Sequence, residues 1–273
     1  MNTTQKQSTR ILTECSIMIA LSTVLSVFKH FEMPYGGSIT LAAMLPIVII
    51  AHRYGIKYGF SAALVTSVIQ ALLGMKNFSY FTTPLSLIAL GVFDYILAFG
   101  VFGIVGYFKK KINSQTVAAT VGALIASVLR YLCHVISGAT VWAGLSIPTE
   151  AAIAYSLSYN ATYMVPETII LVLTTAYLTS ALDFTKKTPA RLQSEALDKA
   201  SAILYSIAGL SLLAALITDT VLVFSKLQNY DSGEFMIMGL ADVNWLAVAV
   251  VTVIAIVASA ALIIIAKTKS KKA

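Results

Sequence analysis

Arg130, His134, Gly138 and Trp142 recur every four residues within one apolar run. Tyr155, Tyr159, Tyr163 and Glu167 repeat the spacing in the next run, with Ser156 and Asn160 beside them. Residues four apart share one slowly drifting face of a helix. Polar and ionisable groups are costly in hydrocarbon, so they turn toward a cavity or a partner inside the bundle. The two stripes therefore read as facing walls of a ligand cavity. Trp142 would offer a π face, His134 a flat ring with two nitrogens, Gly138 the space between them, and Asn160 a donor and an acceptor at once. Plainer uses remain open. Trp142 also suits an interfacial aromatic belt, Gly138 suits close helix packing and Ser156 a helix–helix hydrogen bond, and Arg130 suits a structural ion pair with Glu167.

A third ionisable group stands in another apolar run, in Gly91-Val-Phe-Asp94-Tyr95. An aspartate at membrane depth needs a cation, a donor or a proton. Asp94 could accept from a ligand's amino group or balance its charge, or it could be a paired structural carboxylate. Asp219, in a plainer run, is a weaker case of the same kind.

Other chemistries find no support. The chain has no Gly-x-x-x-x-Gly-Lys-Ser/Thr sequence, so it does not hydrolyse ATP by that route. It has no His-Glu-x-x-His, no Cys/His cluster at zinc spacing and no Gly-x-Ser-x-Gly elbow. No nucleophile–base pair suggests an enzyme, even with His134 in view, and nothing calls for a metal or another cofactor.

The elements that must position these residues follow from composition. Of 273 residues, 58% are hydrophobic and 11% charged, and the mean hydropathy is +0.84. A soluble domain carries roughly 25% charged residues, so this is an all-α integral membrane protein. Spanning runs need about 20 residues. Candidates lie near 11–28, 38–52, 58–74, 85–107, 116–141, 151–182, 201–225 and 243–266, the second being short for a crossing. Fifteen of the 19 Lys and Arg residues fall on segments 1–10, 53–57, 108–115, 183–200 and 267–273. Only Lys29, Lys76 and Lys226 fall on the other side, with Arg130 inside a span. Basic loops stay in the cytoplasm, which predicts both termini inside a cell membrane. The net charge of +7 belongs to those loops and does not point to nucleic acid. The polar start, Met1 to Arg10, shows no cleavable signal pattern. Cys15 and Cys133 lie in apolar runs and suggest no disulfide framework.

The chain divides into a six-span membrane domain, 1–183, a charged linker, 184–200, and two plain extra spans with a basic tail, 201–273. The loop between those two spans carries Asp231, Glu234 and Asp242. In the first span, Ser16 and Ala20 sit four apart with Ser22 nearby, a spacing that lets another helix approach closely.

Arg130-Tyr-Leu-Cys-His134, Gly138, Trp142, Tyr155-Ser-Leu-Ser-Tyr-Asn160 and Pro166-Glu167 resemble the thiamine-specific substrate-binding (S) components of energy-coupling factor (ECF) transporters. Met33-Pro-Tyr-Gly-Gly-Ser-Ile-Thr-Leu41 and Arg53-Tyr-Gly55 are similar to that family's first outer loop and following turn. The resemblance covers about residues 10–183. It implies a six-helix bundle that captures thiamine from outside, with the counterpart of Trp142 stacked on the vitamin and that of His134 close by. The counterparts of Gly138, Tyr155 and Asn160 would line the pocket. The family has a glutamate where Asp94 stands, followed by a tyrosine like Tyr95 that also faces the ligand. A tryptophan often found in the first outer loop is replaced here by Gly36 and Gly37. The resemblance also implies docking on an ECF module of a transmembrane coupling protein and two ATPases, for which the Ser16/Ala20 face is the candidate surface. A thiazolium carries a fixed positive charge that aromatic faces attract by about 0.5–2 kcal/mol, and an aminopyrimidine offers adjacent donors and acceptors. The competing expectation is a stand-alone transporter using Asp94 or Glu167 as a proton carrier.

Overall fold

The computed structural model describes residues 3–33, 36–145, 149, 152–192, 199–227 and 237–270. Pro34 and Tyr35 of the first outer loop, linker residues 193–198, the loop acids Asp231 and Glu234, and Lys271 and Lys272 of the tail lie outside the described residues. The chain divides into two compact units, 1–192 and 193–273.

The first unit opens with α1 (Thr3–Val27) and a hairpin of β1 (Lys29–Glu32) and β2 (Ser38–Thr40). Then come α2 (Leu45–Tyr54), α3 (Ile56–Leu73) and the one-turn α4 (Met75–Phe78). They are followed by a continuous helical span α5 (Pro84–Phe108), α6 (Gln115–Thr140) and α7 (Ala152–Ala181). A two-residue ladder joins β3 (Leu182–Asp183) to β4 (Ala190–Arg191). Helix starts follow local chemistry. Thr83 precedes Pro84 and accepts the Ser86 N–H at 3.2 Å, and Ser114 accepts that of Val117 at 3.4 Å. A side-chain oxygen placed this way satisfies one of the donors orphaned at a helix N-terminus.

The expected second span, 38–52, is corrected by the structure. Residues 38–40 pair with β1, with Glu32 opposite Ser38 and Phe31 opposite Ile39. Helix begins only at Leu45, with Pro46 in its first turn. Gly36 (φ +93°) and Gly37 (φ +87°) supply the left-handed backbone that lets the chain double back. At ten residues α2 is about 15 Å long, too short to cross. It is instead the centre of the bundle: Ile47, Val48 and Ala51 are completely buried, among Ala63, Phe102 and Val105. Non-helical backbone beside it is tolerated because protein encloses it. Ser22 of α1, for example, donates to the Ala43 carbonyl at 2.7 Å.

Away from the hairpin, a polar knot closes the bundle. The Arg53 guanidinium meets Glu14 at 3.0 Å and donates to the carbonyls of Phe184 (3.2 Å) and Lys187 (2.5 Å). Tyr54 donates to Glu14. Lys109, just past α5, donates to the Arg53 carbonyl at 2.6 Å, and burial pulls its ammonium below the ordinary lysine value. In α1, Ser16 and Ala20 are exposed, next to exposed Leu12, Ile17 and Leu21.

The second unit holds α8 (Lys199–Leu227) and α9 (Trp245–Ser270), preceded by a 3-10 turn, Ile237–Asp242. Small and hydroxylic residues form their seam. Ser211 and Ser259 hydroxyls lie 2.7 Å apart, Ser259 donates to the Ala208 carbonyl at 3.0 Å, and Thr252 donates to Asp219 Oδ2 at 2.6 Å. Seven helices among the described residues are long and apolar enough to cross a membrane.

Candidate functional site

At the hairpin end of the first unit, α1, α3, α5, α6 and α7 surround a cavity of about 630 Å³ that also borders the hairpin and α4. That volume is in the range of small-molecule sites, about 300–1,000 Å³. The cavity takes its shape from α5. Residues Gly91–Leu97 form a π-helical stretch inside this span. A π turn holds more residues than an α turn, so neighbours diverge less, and such turns cluster at functional sites. Consecutive Asp94 and Tyr95 both line the cavity.

Asp94 is the hub of one wall. Its Oδ1 lies 2.9 Å from His134 Nδ1. Its Oδ2 accepts from the Ser137 hydroxyl at 2.7 Å and from the Trp142 indole N–H at 2.9 Å. One carboxylate on α5 thus fixes the imidazole in the last two turns of α6 and the indole just past its end. Charge-assisted hydrogen bonds are roughly twice as strong as neutral ones, so the indole plane has little freedom. Trp142 is also held edge-on by Phe81, with ring centres 4.9 Å apart, and it meets Tyr80 at 5.9 Å.

The facing wall is α7. The Asn160 amide N–H group donates to the Ser156 carbonyl at 2.9 Å, the Ser156 hydroxyl at 3.1 Å and the His134 carbonyl at 3.3 Å. Its oxygen accepts from Tyr163 at 2.5 Å. Ser156 in turn donates to the Val135 carbonyl at 2.9 Å. Gly138 permits this approach of α6 to α7: a Cβ placed there would run into the Ser156 hydroxyl and reach 3.4 Å from the Asn160 nitrogen. Gly138→Ala is expected to lower stability by about 1–3 kcal/mol through overpacking. Detergent-solubilised thermal unfolding measures this, and adding Ser156→Gly should recover part of the loss.

Deeper in the cavity, Arg130 Nη1 donates to Glu167 Oε2 at 3.2 Å, and the guanidinium lies 4.5 Å from the centre of the Phe99 ring. The other Glu167 oxygen accepts from the Thr40 hydroxyl at 2.6 Å. Thr40 ends β2, and Gly36 of the hairpin turn accepts from Tyr159 at 2.9 Å. Among the described residues these two bonds tie the hairpin to α7 over the cavity. On the other flank, Asn77 of α4 donates to the Tyr95 hydroxyl at 3.1 Å, and Phe78 stacks on the Tyr95 ring at 5.5 Å.

Six residues singled out from sequence, Asp94, Tyr95, His134, Gly138, Trp142 and Asn160, border this one cavity. Tyr155 is buried but is not among the described residues that line it. A stripe at four-residue spacing turns about 40° per step on a 3.6-residue helix, so Tyr155 has rotated away from the face that carries Tyr163 and Glu167. Arg130 and Glu167 form the expected ion pair, yet both still line the cavity. Ser137 escaped sequence reading because a lone serine in an apolar helix has no distinguishing pattern. Asn77 and Thr40 escaped it because their roles depend on the one-turn α4 and on the hairpin.

Comparison with known proteins follows the same outline. The sequence model of a family described as thiamine transporter protein matches residues 12–186. The thiamine transporter ThiT of Bacillus subtilis (strain 168) is 37% identical over 176 residues, covering 60% of this chain and 87% of that protein. A solved structure of ThiT from Listeria monocytogenes superposes with a TM-score of 0.53 at 24% identity, covering 63% of this chain and 94% of that one. At that identity the superposition speaks for the fold alone. Residues 187–273, which include α8 and α9, lie beyond the family match.

Proposed function

Because the chain belongs to the thiamine transporter protein family, we propose that it is the substrate-binding subunit of an ATP-driven vitamin uptake system and takes thiamine from the outer face of the cell membrane. Asp94, Tyr95, His134, Gly138, Trp142 and Asn160 stand at the ligand, with Tyr155 buried elsewhere on α7. The single observation that carries this reading is the Asp94 hub. It sets an indole and an imidazole side by side on a wall that also bears a carboxylate, and an amide faces them from α7. A flat cation with a hydrogen-bonding second ring suits that set, since aromatic faces attract the charge and the carboxylate and amide meet the ring's donors and acceptors.

Residues 1–183 act as the vitamin-binding domain, and the Lys and Arg distribution favours both termini in the cytoplasm. The hairpin end of the cavity then faces outward. The subunit docks through the exposed Ser16/Ala20 face of α1 on an ECF module of a coupling protein and two ATPases. Uptake of labelled thiamine into proteoliposomes tests this. The chain alone should bind but not accumulate the vitamin, and accumulation should appear only with the module and ATP. Accumulation driven by a pH gradient in the chain alone would contradict the proposal.

A further inference from the structure

The cavity has a charge layout that free thiamine does not exploit. Its inner wall carries Asp94, whose carboxylate is only 14% exposed. Its rim carries Lys29 and Lys76, both of which line the cavity. Lys29 is taken up by Glu32 at 2.7 Å. Lys76 is exposed, and among the described residues its ammonium makes no ion pair or hydrogen bond. The two charges belong to one continuous wall. Asp94 precedes Tyr95, Tyr95 accepts from Asn77, and Asn77 follows Lys76. A cationic ligand alone would gain nothing from an ammonium group at its entrance. A ligand with a cationic ring inside and an anionic group at its outer end would meet a complementary charge at both ends.

We infer that Lys76 is a specificity-determining residue at the rim of the cavity, where it pairs with the phosphate of a phosphorylated form of the vitamin such as thiamine monophosphate. The inference rests on the thiamine reading above. A phosphomonoester carries about −1.5 to −2 charge at neutral pH, and lysine binds phosphate as a compact point charge on a flexible stem. The stem begins on α4, which Asn77 and Phe78 fasten to Tyr95, so the ammonium starts from a fixed base. Lys29 plays the lesser part because Glu32 already occupies it.

The test is equilibrium binding of thiamine and of thiamine monophosphate to the purified full chain in nonionic detergent, for the wild type, Lys76→Gln and Lys76→Arg. The wild type should bind both ligands. Lys76→Gln should weaken monophosphate binding about fivefold, in line with one partly exposed charge pair. Its thiamine affinity should stay within about twofold, and Lys76→Arg should keep the monophosphate affinity. Raising salt should weaken the monophosphate more than thiamine in the wild type, and Lys76→Gln should remove that difference. An unchanged ratio of the two affinities in Lys76→Gln would overturn the inference while leaving the thiamine site intact. So would a wild type that binds thiamine but not its monophosphate. Failure of thiamine itself to bind would remove the underlying reading.

Discussion

Trp142→Ala should weaken thiamine binding about 100-fold. A thiazolium over an indole is worth up to about 2 kcal/mol when desolvated. Loss of a buried aromatic anchor at the centre of a site typically costs 2 kcal/mol or more, and each 1.4 kcal/mol is a factor of ten. The size of the effect depends on the indole being held in one plane. Its N–H is committed to Asp94 Oδ2 and its ring packs at a near right angle to Phe81, so little ordering is left to be lost on binding. Trp142→Phe separates the two contributions: it keeps an aromatic face but has no N–H for Asp94, and it should fall between wild type and alanine. Isothermal titration of detergent-solubilised protein reads both. Unchanged affinity in Trp142→Ala, with an unchanged unfolding temperature, would remove the indole from the ligand.

Glu167→Ala should destabilise the fold by about 3–5 kcal/mol, the cost of leaving one member of a buried ion pair without its partner. The Arg130 and Glu167 side chains are 11% and 7% exposed. Removing the carboxylate leaves the guanidinium with Phe99 and a long 3.4 Å contact to His134 Nε2. It also strips the Thr40 hydroxyl of its acceptor, so the hairpin loses a tie to α7. Glu167→Gln, which keeps an acceptor for Thr40, should cost less. Arg130→Met combined with Glu167→Leu should return most of the stability, because two apolar groups leave no stranded charge. Denaturant unfolding in mixed micelles ranks the four proteins. A double variant no better than Glu167→Ala would mean that the pair is not the source of the loss.

The long helices were legible because hydropathy alone sets their length. The runs expected near 58–74, 85–107 and 116–141 appear as Ile56–Leu73, Pro84–Phe108 and Gln115–Thr140. The two polar stripes were legible for a related reason: an arginine, a histidine and a glutamate stand out in hydrocarbon, and four-residue spacing puts them on one face. What stayed hidden depends on tertiary enclosure. Residues 38–44 are apolar enough to extend a helix, yet the glycine-borne turn before them and the surrounding α1 and α7 make strand and loop the better-satisfied state. The short α2 looked like an incomplete crossing because sequence cannot show that neighbours bury it on all sides. Nothing in Gly91-Val-Phe-Asp94 announces a π turn, since it changes hydrogen-bond register without changing composition. Asp94 itself was marked as a carboxylate in need of a partner. That it gathers His134, Ser137 and Trp142 together required their positions in space.

The most direct test of a cationic vitamin seated against the Asp94-held indole uses the chain's two tryptophans, Trp142 and Trp245. Trp245→Phe leaves Trp142 as the only indole, and thiamine titrated into that protein should quench its fluorescence to saturation at one ligand per chain. No quenching of Trp142 up to millimolar thiamine, or quenching that survives only in Trp142→Phe, would contradict the account.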